Sequence, residues 1–538
     1  MVRLSPLLSE VHMRKRRLLF HNDARHFHIY CYDPPIRVED AVAPVDEIVG
    51  TGVDTLVYGF GAGPTMYHNT KVGETWAEHL IKAGATTFHE PEIWNTFPFW
   101  RAYENLRSLR ERGLDIMTLL IDRAHSKGIE FFGSLRMNHG QDPAFVQTAD
   151  NSTFKIDNPE LCLKTRPGYP FDWTYPEVRA ERYALIEEAV TDYEVDGFEI
   201  DFVFSPYYFE QDEEWGKAHI VTDFIRDVQT LITRIGNEKG RHIPFGARIM
   251  PTVESNTRAG LDVRTWLREE LLDFVVPAVY GPRQMDVNMP FEWLVEEAEG
   301  TDCEVYPALQ DRYYSVGTGG IDQERREIYE YPGTPERFRA GAASYWSRGA
   351  DGLYIPWFNW PFGAQERQIL SEIHDPDLIR EQPKHYWLGV KDIDADYEGY
   401  ESQLPVTLET GNGPSFISIQ MAEVFKLAQV TLKVQLRGSI DADVVAVIAN
   451  GVTLDPDKQR FSRHGGGGNI YALMELPIPS SILKVGTNEI GISIESRPAN
   501  LAAQVAVDSV EMFVDYARPT AATTFDRISR GERVGGFR

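Results

Sequence analysis

The chain has 538 residues, more than one ordinary hydrophobic core accommodates, so two or three domains are expected. A hydrophobic share of 42% beside 25% charged residues describes a globular chain, and no apolar run reaches the length of a bilayer span. The net charge of −27 repels phosphate, which argues against nucleic acid and anionic membranes as partners.

The amino terminus carries basic residues from Arg14 to Arg17, but only Leu18–Phe20 follows before His21 and Asn22. That apolar stretch is too short for a signal-peptide core. A cytoplasmic location is expected, or a secreted or periplasmic one if a signal peptide has been trimmed. From about Arg17 to Asp375, short apolar strands alternate with amphipathic helical stretches, as in a parallel α/β fold. The strands expected in order are Leu18–Asp23, Thr55–Phe60, Glu130–Arg136, Gly197–Phe202, Phe245–Met250, Phe274–Tyr280, Glu304–Leu309 and Gly352–Pro356. The helices expected between them include Arg101–Lys127, Pro176–Glu194, Ile220–Asn237, Val263–Leu272 and Pro335–Arg348. Eight strand–helix steps predict a (β/α)₈ TIM barrel over residues 1–382. The long aromatic loops 61–100 and 138–175 would shape a cleft at its mouth.

Beyond Pro383–Tyr400 the helical period fades. Strand-like runs at Val406–Leu408, Ser415–Met421, Lys426–Leu436, Asp443–Ala449, Asn469–Leu476, Glu489–Ile494 and Val505–Tyr516 are separated by turns rich in Gly, Asn and Asp. They predict a jelly-roll-like β-sandwich over 383–517, with Gly465–Gly468 at a hairpin tip. The polar, Arg-rich residues 518–538 read as a tail or a docking arm, and an arm offers a route to homo-oligomers. Cys31, Cys162 and Cys303 form no zinc-like spacing and read as buried free thiols.

The most informative stretch is Tyr193–Phe202, with sequence YEVDGFEIDF. Side chains alternate along a strand, so Phe198, Ile200 and Phe202 would face the helices while Glu199 and Asp201 face the barrel interior. Buried carboxylates are costly unless they are paired or used, and glycoside hydrolysis uses them at barrel strand ends. Glu199 is equally readable as a salt-bridged interior acid. The other strand ends gather a polar set: Asn22, Asp23, Arg25 and His26; Arg136, Asn138 and His139; Arg248 and Glu254; Tyr280; Gln310, Asp311 and Arg312; Trp357, Asn359 and Trp360. Asp23 is also readable as an Asx-turn residue, His139 as a loop residue, Glu254 as a helix-end residue and Trp357 as core. Several arginines suit either an anionic substrate or the neutralisation of these acids. His26-x-His28 resembles a metal motif, but the fourth to sixth strand ends add no histidine, so no metal or other cofactor is expected.

Asn22-Asp23, Arg136-Met137-Asn138 and Asn359 resemble positions in glycoside hydrolase-like bacterial barrels, and more distantly in the inverting exo-sialidases of glycoside hydrolase family 156. The resemblance covers the barrel. It implies a (β/α)₈ barrel with a carboxy-terminal β-rich region, acting on a sialylated glycan. In that family the third-strand motif continues with an Asp and, two residues later, a His; here His139 and Gln141 occupy those positions.

The expected function is therefore glycoside hydrolysis of a carbohydrate, with sialic or uronic acid-containing glycans as candidates. Asp23 and Asp201 are the leading catalytic carboxylates, His139 assists as base or hydrogen-bond donor, and Glu199 orients Asp201. Asn22, Arg136, Asn138, Arg248, Tyr280, Asp311, Trp357 and Asn359 are the expected substrate contacts. The rival readings are a catalytically silent glycan binder and a uronate lyase or epimerase.

Overall fold

The computed structural model describes residues 17–24, 32–82, 99–146, 148–279, 285–316, 328–356, 358, 361–389, 399–422, 428–466, 469–501 and 503–516. Eight parallel strands make one sheet: β1 (Arg17–Asn22), β2 (Thr55–Gly59), β3 (Glu130–Arg136), β4 (Gly197–Asp201), β5 (Phe245–Ile249), β6 (Phe274–Pro277), β7 (Glu304–Val305) and β8 (Gly352–Ile355). They lie in the order β8-β1-β2-β3-β4-β5-β6-β7. The sheet nearly closes on itself, because Ala308 bridges in parallel to Tyr354 and the Leu309 amide donates to the Tyr354 carbonyl at 2.8 Å. With helices on its outer face this is the expected TIM-like barrel. The seventh strand is shorter than Glu304–Leu309, since Pro307 has no N–H to give a ladder. The expected single helix Arg101–Lys127 is two helices, Phe99–Glu111 and Ile116–Ser126. Gly113 at φ 71° ends the first, and the Asp115 carboxylate caps the second by accepting from Met117 N and Thr118 N.

The barrel floor is packed by rings set against glycines. Phe132 of β3, Phe274 of β6 and Tyr306 after β7 follow one another at centroid spacings of 5.7 Å. Gly197 and Gly246, from the intervening strands β4 and β5, make room for them. A Cβ on Gly197 would lie 2.6 Å from the Phe132 ring, and one on Gly246 would lie 2.3 Å from the Phe274 ring. This plug fills the amino-terminal end of the barrel and leaves the polar layer above it to face the mouth. Overpacking such a site costs about 1–3 kcal/mol. Gly246→Ala is therefore expected to lose that much stability in urea unfolding, whereas Gly216→Ala, whose added Cβ meets nothing within 4 Å, stays within about 0.5 kcal/mol of wild type.

The carboxy-terminal region is a β-sandwich of two antiparallel sheets. One runs Lys384–Gly389, Val505–Tyr516, Ala428–Arg437, Asn469–Ile478, Arg460–Gly466, with Val406–Leu408 also on Val505–Tyr516; the other runs Ser415–Met421, Gly486–Ser496, Val444–Ala449, Val452–Thr453. Period-2 alternation turns Ile417, Ile419 and Met421 into a core shared with Leu432, Val434, Ile490 and Met512. Lys384–Gly389 and Arg460–Gly466 were not among the expected strands. Lys384–Gly389 is buried on both faces and so shows no alternation, while charged and small residues interrupt Arg460–Gly466.

The sandwich packs on the barrel through the loop after β6 and the helix Pro335–Ser347. Asn288 Nδ2 donates to Ser418 O at 2.7 Å, Gln420 N donates to Asn288 Oδ1 at 2.8 Å, and Arg337 Nε donates to His385 Nδ1 at 3.1 Å. Cys162 and Cys303 are buried and form no disulfide among the described residues, while Cys31 and residues 518–538 lie outside them. Among the described residues no helix is long and apolar enough to cross a membrane.

Candidate active site

Strand β4 places its two acids in the interior as alternation requires, and both are fully buried. Glu199 Oε1 accepts from Ser134 Oγ at 2.8 Å and from the Tyr354 hydroxyl at 3.2 Å. Its Oε2 has no partner among the described residues, so that oxygen is free to carry a proton. Burial pushes the Glu199 carboxyl up to about 7, against the pull of Arg248 and with the Asp201 charge adding to the rise.

Asp201, two residues on, goes the other way. Burial pushes it up too, but the Arg248 guanidinium, Arg136 and the Val203 amide outweigh that and hold it below the ordinary range. Its Oδ1 accepts from Val203 N at 2.9 Å and Phe204 N at 3.3 Å, and its Oδ2 is ion-paired with Arg248. Arg248 in turn lies 5.8 Å from the Tyr354 ring centroid.

Asp23 follows β1, is buried, and sits 3.4 Å from Arg136 Nη2. Arg136 thus bonds the acid after β1 and acts electrostatically on the acid at the end of β4. The guanidinium carbon lies 3.8 Å above the Phe204 ring, whose centroid is 5.5 Å from that of His139, with the two rings nearly parallel at 12°. His139 is buried, and its Nε2 is 3.5 Å from Asp150 Oδ2. Asp23, Arg136, His139 and Asp201 are therefore brought to one end of the barrel.

Two of the expected substrate contacts make hydrogen bonds within the protein. Asn138 spends its amide on the backbone: Nδ2 donates to Phe171 O at 3.0 Å and Tyr207 O at 2.7 Å, while Oδ1 accepts from Phe171 N and His139 N. Two donors and two acceptor sites are all it has, so it clamps the loops after β3 and β4. Asn22 Oδ1 accepts from Ala24 N at 2.9 Å, which makes it the Asx-turn residue that lets Ala24 adopt φ 67°. Asp311 is buried beside its neighbour, with Oδ2 3.5 Å from Arg312 Nε, and Glu254 lies in the first turn of the helix Val253–Ala259. Tyr280, Trp357, Asn359, Trp360, Arg25, His26 and His28 lie outside the described residues.

His21 was missed. Its ring stacks on Tyr354 at 5.8 Å and 25°, and its Nδ1–H donates to Pro356 O at 3.2 Å. Burial, helped by Arg248 and resisted by Asp23 and Asp201, lowers its pKa to about 3, so it stands neutral in the interior. Alternation was the signal: His21 and Asp23 share a parity, and Asn22 opposes them.

No protein-family model matches the chain. It is 26% identical over 244 residues to the glycosyl hydrolase YngK of Bacillus subtilis, covering 38% of this chain and 47% of that one. It is 20% identical over 276 residues to the glycosyl hydrolase DigH of Escherichia coli, covering 42% of this chain and 62% of that one. The chain thus spans about half the length of the curated relatives it matches. Among solved structures, the chitinase ChiW from Paenibacillus aligns with a TM-score of 0.40 at 10% identity, covering 92% of this chain and 56% of that one. At low identity, then, the chain is similar in sequence to proteins named glycosyl hydrolase.

Proposed function

We propose that the chain is a glycoside hydrolase whose reacting groups are Asp23, Asp201 and His139 at the barrel mouth. The observation that carries this is Arg136. One guanidinium bonds Asp23 and stabilises the charge of Asp201, which ties two strand ends to a single point. Asp201 is held ionised, so it suits attack on, or charge stabilisation of, an anomeric carbon rather than proton donation. Asp23, as a carboxylate on Arg136, suits activation of water. The proton for the leaving oxygen then falls to His139, the remaining titratable member of the group. Glu199, protonated near neutrality, supports Asp201 by not adding a second charge beside it.

A sialic or uronic acid substrate is the finer form of this reading. Arg136 and Arg248 are each committed to a carboxylate, so an anionic sugar would have to share them. The names of the relatives above do not bear on family 156 or on sialosides. A second reading, a silent glycan binder, is favoured by the burial of Asp201, whose two oxygens are already occupied by amides and Arg248.

The test is a screen on chromogenic glycosides that includes sialosides and uronides, with the first-formed anomer followed by NMR. Release of the aglycone with uptake of water is the expected result. An unsaturated, ultraviolet-absorbing product would replace hydrolysis by lyase chemistry, and uniform inactivity with tight glycan binding would leave the binder.

A further inference from the structure

We infer that Asp150 is a positioning residue for His139, fixing its tautomer and raising its proton affinity so that it can serve as the acid–base group. This rests on the glycosidase reading above and adds to it a residue that sequence reasoning did not single out.

His139 is held on every side. One ring face lies against Phe204, nearly parallel at 5.5 Å. Its Cβ–Cγ–Cδ2 edge lies against Gly63, where an added Cβ would come within 2.5–2.9 Å of those atoms. Gly63 also has φ +88°, a conformation that glycine alone adopts without strain. Its carbonyl is fixed by Arg182 Nη1 at 2.8 Å, which also reaches the Arg136 carbonyl at 3.3 Å. The His139 carbonyl accepts from the buried Lys155 Nζ at 2.9 Å. At the far end of the ring stands the Asp150 carboxylate, 3.5 Å from Nε2, with both side chains about nine-tenths buried.

The charges around the imidazole explain why a carboxylate is needed there. Lys155 lies at its backbone, Arg136 on the Phe204 ring that it shares, and Arg182 behind Gly63. All three oppose a further positive charge. Asp150 acts on Lys155 more strongly than Asp142 does and also acts on His79, and it is the anion whose carboxylate stands 3.5 Å from the His139 ring. At 3.5 Å the carboxylate stands at ion-pair rather than hydrogen-bond distance, and from there it favours the hydrogen on Nε2, which leaves the lone pair of the neutral ring on the buried Nδ1. It also stabilises the imidazolium once Nδ1 takes a proton, as the orienting acid does in other acid–base pairs.

The test is a pH titration of protein labelled with ¹³C,¹⁵N-histidine, without substrate, with the His139 signal assigned by His139→Gln. Asp150→Asn is expected to lower the His139 pKa by about 1 or more, the effect of removing an opposite charge at this range, and to abolish the fixed Nε2–H tautomer in the ¹⁵N shifts. Asp150→Glu is expected to restore most of both. On any glycoside that the protein turns over, the limb of the kcat/KM profile that reports His139 is expected to move with the NMR value. A His139 pKa within about 0.3 of wild type in Asp150→Asn, with the tautomer kept, overturns the proposal. So does an NMR change that leaves the pH–rate profile of an active protein unmoved. If no glycoside is turned over, the hydrolase reading fails, while the NMR titration still decides the pairing.

Discussion

Asp201→Asn is expected to destabilise the protein by on the order of 3–5 kcal/mol, because it removes one partner of a buried ion pair. Asp201 is fully inaccessible and Arg248 nearly so. With the carboxylate gone, the guanidinium keeps its charge in the barrel interior, and Glu199 is the acid left to meet it. The rise of Glu199 to about 7 should then shrink, since Asp201 now helps to push it up. Asp201→Asn/Arg248→Met removes both charges, and it is expected to recover most of the loss, as replacement of whole buried pairs commonly does. Urea unfolding of the two variants beside wild type measures this. A single variant as stable as wild type would mean that the pair is solvated in solution. The same result governs activity work: a dead Asp201→Asn is interpretable only where it is shown to be folded.

The second large effect is on stability against pH, and it has two opposed limbs. For His21 the folded pKa is about 3 against an ordinary 6.5, so the unfolded chain binds the proton between those values. Its contribution is complete above about 6.5 and is lost as pH falls towards 3, and the gap is worth on the order of 5 kcal/mol. For Glu199 the folded pKa is raised from 4.5 to about 7, so the folded chain binds the proton in that window. Its contribution is present below about 4.5 and lost as pH rises through 7, worth on the order of 3 kcal/mol. Relative to wild type, His21→Gln should therefore become steadily more stable as pH falls from 6.5. Glu199→Gln should become more stable as pH rises from 4.5 to 8. Flat difference curves for both variants would show that neither group is held in the state that its burial demands.

Much of this was legible in the sequence because alternation is a strong rule. The pattern in YEVDGFEIDF placed Phe198 and Ile200 outward and Glu199 and Asp201 inward, and the eight strand positions followed from repeated apolar runs. The boundaries failed where a single residue decides: Gly113 splits one apolar stretch into two helices, and Pro307 shortens β7. The site was legible as a set of strand ends but not as a network. Nothing local in Arg136-Met137-Asn138 says that Arg136 turns to Asp23 while Asn138 turns to the loop backbone. That choice depends on carbonyls at Phe171 and Tyr207, more than thirty residues away. Asp150 was invisible for the same reason, as a loop acid whose meaning lies in a histidine eleven positions earlier. His21 was legible from the same alternation, since it shares the interior parity of Leu19 and Asp23.

The pairing of Asp23 with Asp201 through Arg136 is tested most directly by Asp23→Asn, because Asp23 meets Arg136 while Asp201 is also anchored by Arg248. The measurement is turnover and affinity on the best glycoside from the screen, at a pH where the variant is folded. The expected result is a fall in kcat of about 10²–10⁴-fold with binding kept within a few-fold, as for loss of a group used in the transition state. Turnover retained within a few-fold would contradict it and remove Asp23 from the chemistry.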